Sequence, residues 1–192
     1  METDWEKLGR FLNGVAASAE LYSKAAKNGY FIEAVCLAAN LIDAQLRIGL
    51  ILMQQTKTKS KTIDKSLLFQ GEQDKPISER EIYKRALAEG VINQGLYSAL
   101  DQLYTDRNKV IHRYIVSDLR TEDVLEIGIR YEKIQTAVRD AIFAIEEQQI
   151  RLGVGMTVKG PPFEGAEAID WLADMTLDKH GKKWLSDAIK RK

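Results

Sequence analysis

Between Tyr30 and Gln55 the chain is apolar on most of a helix circumference. A helix of that kind is not stable on a surface and has to be surrounded. The remaining segments must therefore wrap around it. A bilayer is the other way to hide such a run, and Ala34–Met53 is long enough to span one. Asn40, Asp43, Gln45 and Arg47 interrupt it, and four polar residues in twenty argue for the centre of a protein core instead.

The wrapping segments carry helical periodicity. Trp5, Leu8, Leu12, Val15, Ala19, Tyr22 and Ala26 step by three and four, and Asn28-Gly29 closes that helix. Thr56–Asp64, with three lysines and three threonines, reads as a flexible loop inside a linker near residues 57–77. Ser78-x-x-Glu81 predicts a capping box and a short helix to about Glu89, stopped by Gly90. A fourth helix is expected over Gln94–Tyr114, with its seam at Leu96, Leu100, Leu103, Arg107, Val110 and Tyr114. The longest starts at Thr121-Glu122-Asp123 and continues to about Leu152, with Val124, Ile127, Tyr131, Ile134, Val138, Ile142 and Ile145 facing inward. Glycines 153, 155, 160 and 165, with Pro161 and Pro162, break the pattern. Short helices are expected at Ala166–Thr176 and Lys182–Lys190, and Gly155–Val158 is the one stretch with a strand-like alternation. The fold class is all-α: an antiparallel up-down bundle of four to five core helices over 1–152, followed by a helical appendage over 153–192.

Composition narrows the function classes. The 192 residues are 45% hydrophobic and 29% charged, as in an ordinary globular protein. Formal net charge is zero, so any nucleic-acid site must be a local basic cluster. A single cysteine, Cys36, excludes an internal disulfide, and the first residues lack an apolar signal core. A cytoplasmic setting, away from membranes, is the expectation. There is no phosphate-binding Gly-x4-Gly-Lys loop, no His-Glu-x2-His and no Cys/His cluster, so neither a metal nor a cofactor is expected. Neutral charge and the lack of a clear recognition helix disfavour a DNA-binding protein.

One segment carries chemistry: Arg107-Asn108-Lys109-Val110-Ile111-His112-Arg113-Tyr114. Arginine grips phosphate through a planar fork, and histidine moves protons near neutral pH. Arg-x4-His alone arises easily by chance, and the added Asn and Tyr make the pattern specific. On a straight helix Arg107 and His112 lie about 140° apart, so they converge on one phosphate more easily when two copies of the helix meet across a two-fold axis. Cleavage by the ribose 2′-hydroxyl needs a base and an acid, and two protomers supply two histidines. Two readings remain for the polar line Glu33, Asn40 and Arg47, with Asp43 beside it. It is a solvent-facing stripe, or a polar wall turned towards Arg107 and His112. Arg107 is itself open to two readings, as a phosphate ligand or as a core cation paired with Asp43 or another carboxylate. His180, in Asp178-Lys179-His180-Gly181, reads as a structural or solvated turn residue.

Arg-Asn-x3-His-x-Tyr within a chain of long helices resembles the HEPN superfamily of helical ribonucleases, and the trailing Tyr is most similar to the HepT toxins of MNT–HEPN toxin–antitoxin pairs. The motif covers eight residues and the similar helical pattern roughly residues 5 to 150. The chain is longer than HepT, with the linker near 57–77 and the tail after about 152. The resemblance implies a homodimeric, metal-independent endoribonuclease in a toxin–antitoxin or antiviral defence setting. RNA would be its substrate and a nucleotidyltransferase antitoxin its partner. It implies that His112 is the general acid or base, that Arg107 binds the scissile phosphate and that Asn108 supplies a hydrogen bond. Tyr114 would stack on a base, bind phosphate or accept a nucleotide from the antitoxin. Asn40, Asp43 and Arg47 are the supporting candidates. The alternative is a non-catalytic HEPN-like protein-interaction or RNA-binding module.

Overall fold

Helix α1 spans Asp4–Lys27, and its start is set by side chains. Thr3 Oγ1 accepts the Glu6 amide at 3.2 Å, and the Glu6 carboxylate accepts the Thr3 amide at 2.6 Å, which satisfies two N-terminal donors reciprocally. The helix ends as expected at Asn28 and Gly29, whose φ of 74° is the left-handed conformation that glycine adopts without strain. The computed structural model describes residues 3–68, 76–159 and 179–180.

Helix α2 covers Phe31–Thr58, three residues past the expected end. Thr56 and Thr58 do not break it, because their hydroxyls bond back to the carbonyls of Leu52 and Gln54, each at 2.8 Å. Lys59, in the left-handed region, stops it. Helix α3 is Glu79–Glu89, with Ser78 Oγ accepting the Glu81 amide. Only half of the expected capping box forms, because the Glu81 carboxylate pairs with Arg85 at 3.0 Å instead. Helix α4 is Gln94–Arg113, capped by Asn93, and α5 is Thr121–Leu152, ended by Gly153.

The described residues form an all-helical bundle in which α2 packs against each of the other four helices. This fulfils the demand of its all-round apolar surface. Val35, Ala38, Ala39, Ile42, Leu46, Ile51 and Leu52 are fully buried. Each large one is worth about 1.5–3 kcal/mol of burial. By length and hydropathy Phe31–Thr58 has the character of a membrane span, and most of it is buried among the other helices. Gly49 permits a close approach here: a Cβ on it would sit 2.7 Å from Val91 and 3.2 Å from Ile142. On α5, Val124, Ile127, Tyr131, Val138, Ile142 and Ile145 are buried and Ile134 is partly so, as its period requires. The α1 seam is less faithful. Leu8 is buried, but Ala19 and Ala26 are exposed while Ala17 and Ala25 are covered. Alanine carries too little apolar surface to mark a helix face.

Two connections differ from expectation. The stretch after α2 is packed rather than a solvated loop: Ile63, Leu67 and Leu68 are buried in the core, and Lys65–Leu67 form a 3-10 turn capped by Asp64. Its lysines and threonines disguise three aliphatic anchors. After α5, residues 157–159 form a 3-10 turn and no strand arises at 155–158. Two fully buried glutamines hold this return. Gln149 donates to Leu52 O at 2.8 Å and accepts from Thr157 Oγ1 at 2.8 Å, while Gln55 accepts the Met156 amide at 3.1 Å. Gly155, at φ 78°, leaves the room: a Cβ there would lie 2.2 Å from Gln149 Oε1. The helices expected at Ala166–Thr176 and Lys182–Lys190 lie outside the described residues.

Candidate functional site

The period of α4 turns Arg107 inward, towards the first turn of α3. There it forms an ion pair with Glu79, and the two side chains are only 12% and 19% exposed. The other carboxylate oxygen of Glu79 accepts the Tyr83 hydroxyl at 3.2 Å. Arg107 Nη2 donates to Asn108 Oδ1 at 3.1 Å, and its guanidinium carbon lies 4.9 Å from the centre of the Tyr104 ring. Tyr104 is three residues earlier on the same helix, where neighbours on one face meet. The Arg80 guanidinium lies 4.6 Å from that ring and is anchored by Asp101 at 2.8 Å and Thr105 at 3.3 Å.

Burial alone would lower the Arg107 pKa, but the hydrogen bond and charge of Glu79 outweigh it, so the guanidinium is firmly protonated. Burial pushes the Tyr83 hydroxyl well above its ordinary range, reinforced by the Glu79 charge. Burial likewise raises the Cys36 thiol, although Arg107 opposes it, so Cys36 stays a neutral thiol near neutral pH.

The polar line on α2 divides. Asp43 and Arg47 turn towards this cluster and pair with each other at 2.6 Å. Burial raises the Asp43 pKa and Arg47 opposes it, with Glu79 and Arg107 both near enough to contribute. Arg47 also donates to Leu67 O at 3.1 Å and Ile77 O at 3.3 Å, tying both ends of the α2–α3 connection. Asn40 does not join them. It is exposed beside α1, in a cleft with Arg10, Gly14 and Ser18, and Glu33 is also exposed. The polar wall is therefore Asp43 and Arg47: the carbonyls of Leu67 and Ile77 reach the turn of α2 that carries Arg47, and Asn40, two turns earlier on nearly the same line, is left exposed.

His112 is exposed on the last turn of α4. Among the described residues it shares no hydrogen-bond partner with Arg107, in line with the offset of about 140°. Around it lies apolar surface that the bundle leaves uncovered: Ile111 is 43% exposed, Ile115 94% and Val116 80%. Tyr114 leans the other way, its hydroxyl 2.8 Å from Thr121 Oγ1, and lines a cavity of about 510 Å³ with Tyr30, Phe31 and Val124. His180 is mostly buried, 3.7 Å from Glu20 on α1, in keeping with a structural residue.

Among the described residues no three His, Cys, Asp or Glu side chains are grouped to hold a metal. Sequence reasoning missed Glu79, Tyr83, Arg80 and Tyr104. The available signals were local ones: the cap at Ser78 puts Glu79 in a first turn, and Tyr104 is three residues before Arg107. Compared with protein-family models, curated proteins and solved structures, the chain matches none.

Proposed function

We propose that the protein is a metal-independent endoribonuclease of HEPN type that acts as a homodimer, in a toxin–antitoxin or antiviral defence setting. The observation that carries this reading is the placement of one helix's residues. Arg107 is anchored and fully charged at the α3 contact, while His112, one and a half turns later, is solvent-exposed amid uncovered aliphatic side chains. A solvent-exposed imidazole is suited to proton transfer near neutral pH. In the reaction one His112 takes the proton of the ribose 2′-hydroxyl as its oxygen attacks phosphorus. The bond to the 5′-oxygen breaks, and the second protomer's imidazolium protonates that leaving group. Arg107 offsets the charge that builds on the phosphoryl oxygens. Tyr114 is the hydroxyl an antitoxin would nucleotidylate, adding bulk and charge two residues from His112.

Two measurements test the proposal. Cleavage of RNA should persist in EDTA and leave a 2′,3′-cyclic phosphate or the 3′-phosphate derived from it. A 3′-hydroxyl product, or loss of activity in EDTA with the fold intact, contradicts it. The dimer is tested separately by sedimentation. The protein should run as a dimer at micromolar concentration, and Ile115→Asp should shift it to monomer, since a charge in a covered apolar patch is costly to bury. A fully active monomer would remove the composite site from the argument.

A second reading has its own support. The Arg107–Glu79 pair balances the charge of the arginine within one protomer, as a non-catalytic interaction or RNA-binding module with a structural arginine would require.

A further inference from the structure

We propose that Glu79 is a displaceable anionic latch on Arg107: it occupies the guanidinium in the free protein and yields it when a phosphate group enters. The inference rests on reading Arg107 as the phosphate ligand. A guanidinium recognises carboxylate and phosphate through the same N–H fork, so the two anions compete. In the free protomer Glu79 takes Nη1, Asn108 takes Nη2, the Tyr104 ring lies against the guanidinium, and Nε is buried with no hydrogen-bond partner. A phosphate that takes Nη1 therefore displaces Glu79, whose charge it replaces, and Nε stays open to a further acceptor.

The surroundings let Glu79 give way. Its other oxygen keeps the Tyr83 hydroxyl, and its place in the first turn of α3 puts it at the positive end of the helix dipole. The released carboxylate is thus not left buried without compensation. Arg80, next to Glu79 in sequence, exposed and sharing the Tyr104 ring, gives an entering phosphate a second guanidinium. Asp101 and Thr105 hold Arg80 in position without burying it. The latch keeps the site electrically neutral until an anion replaces it, which fits a chain with no net charge.

The test compares wild type, Glu79→Gln, Glu79→Asp and the double variant Glu79→Gln/Arg107→Ala. Two probes are used: a non-cleavable 2′-O-methyl RNA oligonucleotide, and inorganic phosphate read as a rise in melting temperature against chloride at equal ionic strength. Glu79→Gln should bind the oligonucleotide about tenfold more tightly, the scale of one charge-assisted hydrogen bond. Phosphate should stabilise it more than wild type. The double variant should lose both gains. Glu79→Asp, which keeps the charge on a shorter arm, should move in the same direction by less, and it serves where Glu79→Gln does not fold. Binding that is unchanged or weaker in the folded variants overturns the latch. RNA cleavage that depends on His112, together with no gain from either Glu79 variant, sinks the latch and keeps the ribonuclease. Phosphate affinity gained on removing Glu79, with no cleavage by any variant, keeps the latch and sinks the ribonuclease.

Discussion

His112→Ala should lower RNA cleavage by about two to four orders of magnitude, the usual contribution of a general acid or base. The same variant should melt at the wild-type temperature, because the imidazole is exposed and anchors no neighbouring element. His112→Gln should be equally inactive, since an amide forms hydrogen bonds but does not carry protons near neutral pH. Arg107→Ala is a less clean probe. It leaves Glu79 half-buried without its cation, so stability should fall by about 1–3 kcal/mol whatever the arginine does for catalysis. Arg107→Lys separates the effects: the charge stays beside Glu79 while the planar fork is lost. A phosphate-binding arginine predicts a stable Lys variant with poor cleavage. A purely structural arginine predicts that cleavage follows stability. Full cleavage by folded His112→Ala would end the ribonuclease assignment and favour the interaction module.

Arg47→Ala should destabilise the bundle by about 3–5 kcal/mol, the range for breaking a buried ion pair. Arg47 is buried, and its loss strands Asp43 and frees the carbonyls of Leu67 and Ile77 together. The deficit should depend on pH in a fixed direction. Burial already raises the Asp43 pKa, and Arg47 is the largest opposing influence, so removing Arg47 raises it further. A carboxyl whose folded pKa exceeds its unfolded one favours folding below the unfolded pKa and loses that advantage as pH rises through the folded value. The variant should therefore recover part of its deficit as the solution moves from neutral to mildly acidic. Urea denaturation of both proteins across that range measures it. A deficit that grows on acidification would show that Asp43 is not the stranded group. Arg47→Met tests packing separately: it restores much of the volume and none of the hydrogen bonds.

Local signals accounted for most of the helical framework. Thr3, Gly29, Gly90, Asn93 and Gly153 stand where helices begin and end, because capping depends on residues within one turn. The seam of α5 and the central place of α2 followed from hydrophobic period alone, since a buried face must be apolar wherever its partner comes from. Arg107 could be seen to need an anionic partner, and Asp43 was the candidate within reach of sequence reasoning.

Tertiary structure decided which partner it found. Glu79 is 28 positions away, on a helix whose rotation and crossing over α4 are set by the whole core and by no local pattern. The same holds for Asn40 and Arg47, seven residues apart and nearly in line, of which one is exposed beside α1 and the other ties down the α2–α3 connection. Gly155 looked like a breaker and is the space into which the Gln149 amide fits. Periodicity and capping are written in neighbouring residues, so the sequence determined the five helices of the described bundle by itself. The pairing of buried polar groups depends on how those helices are rotated against one another, and that was decided only when they packed.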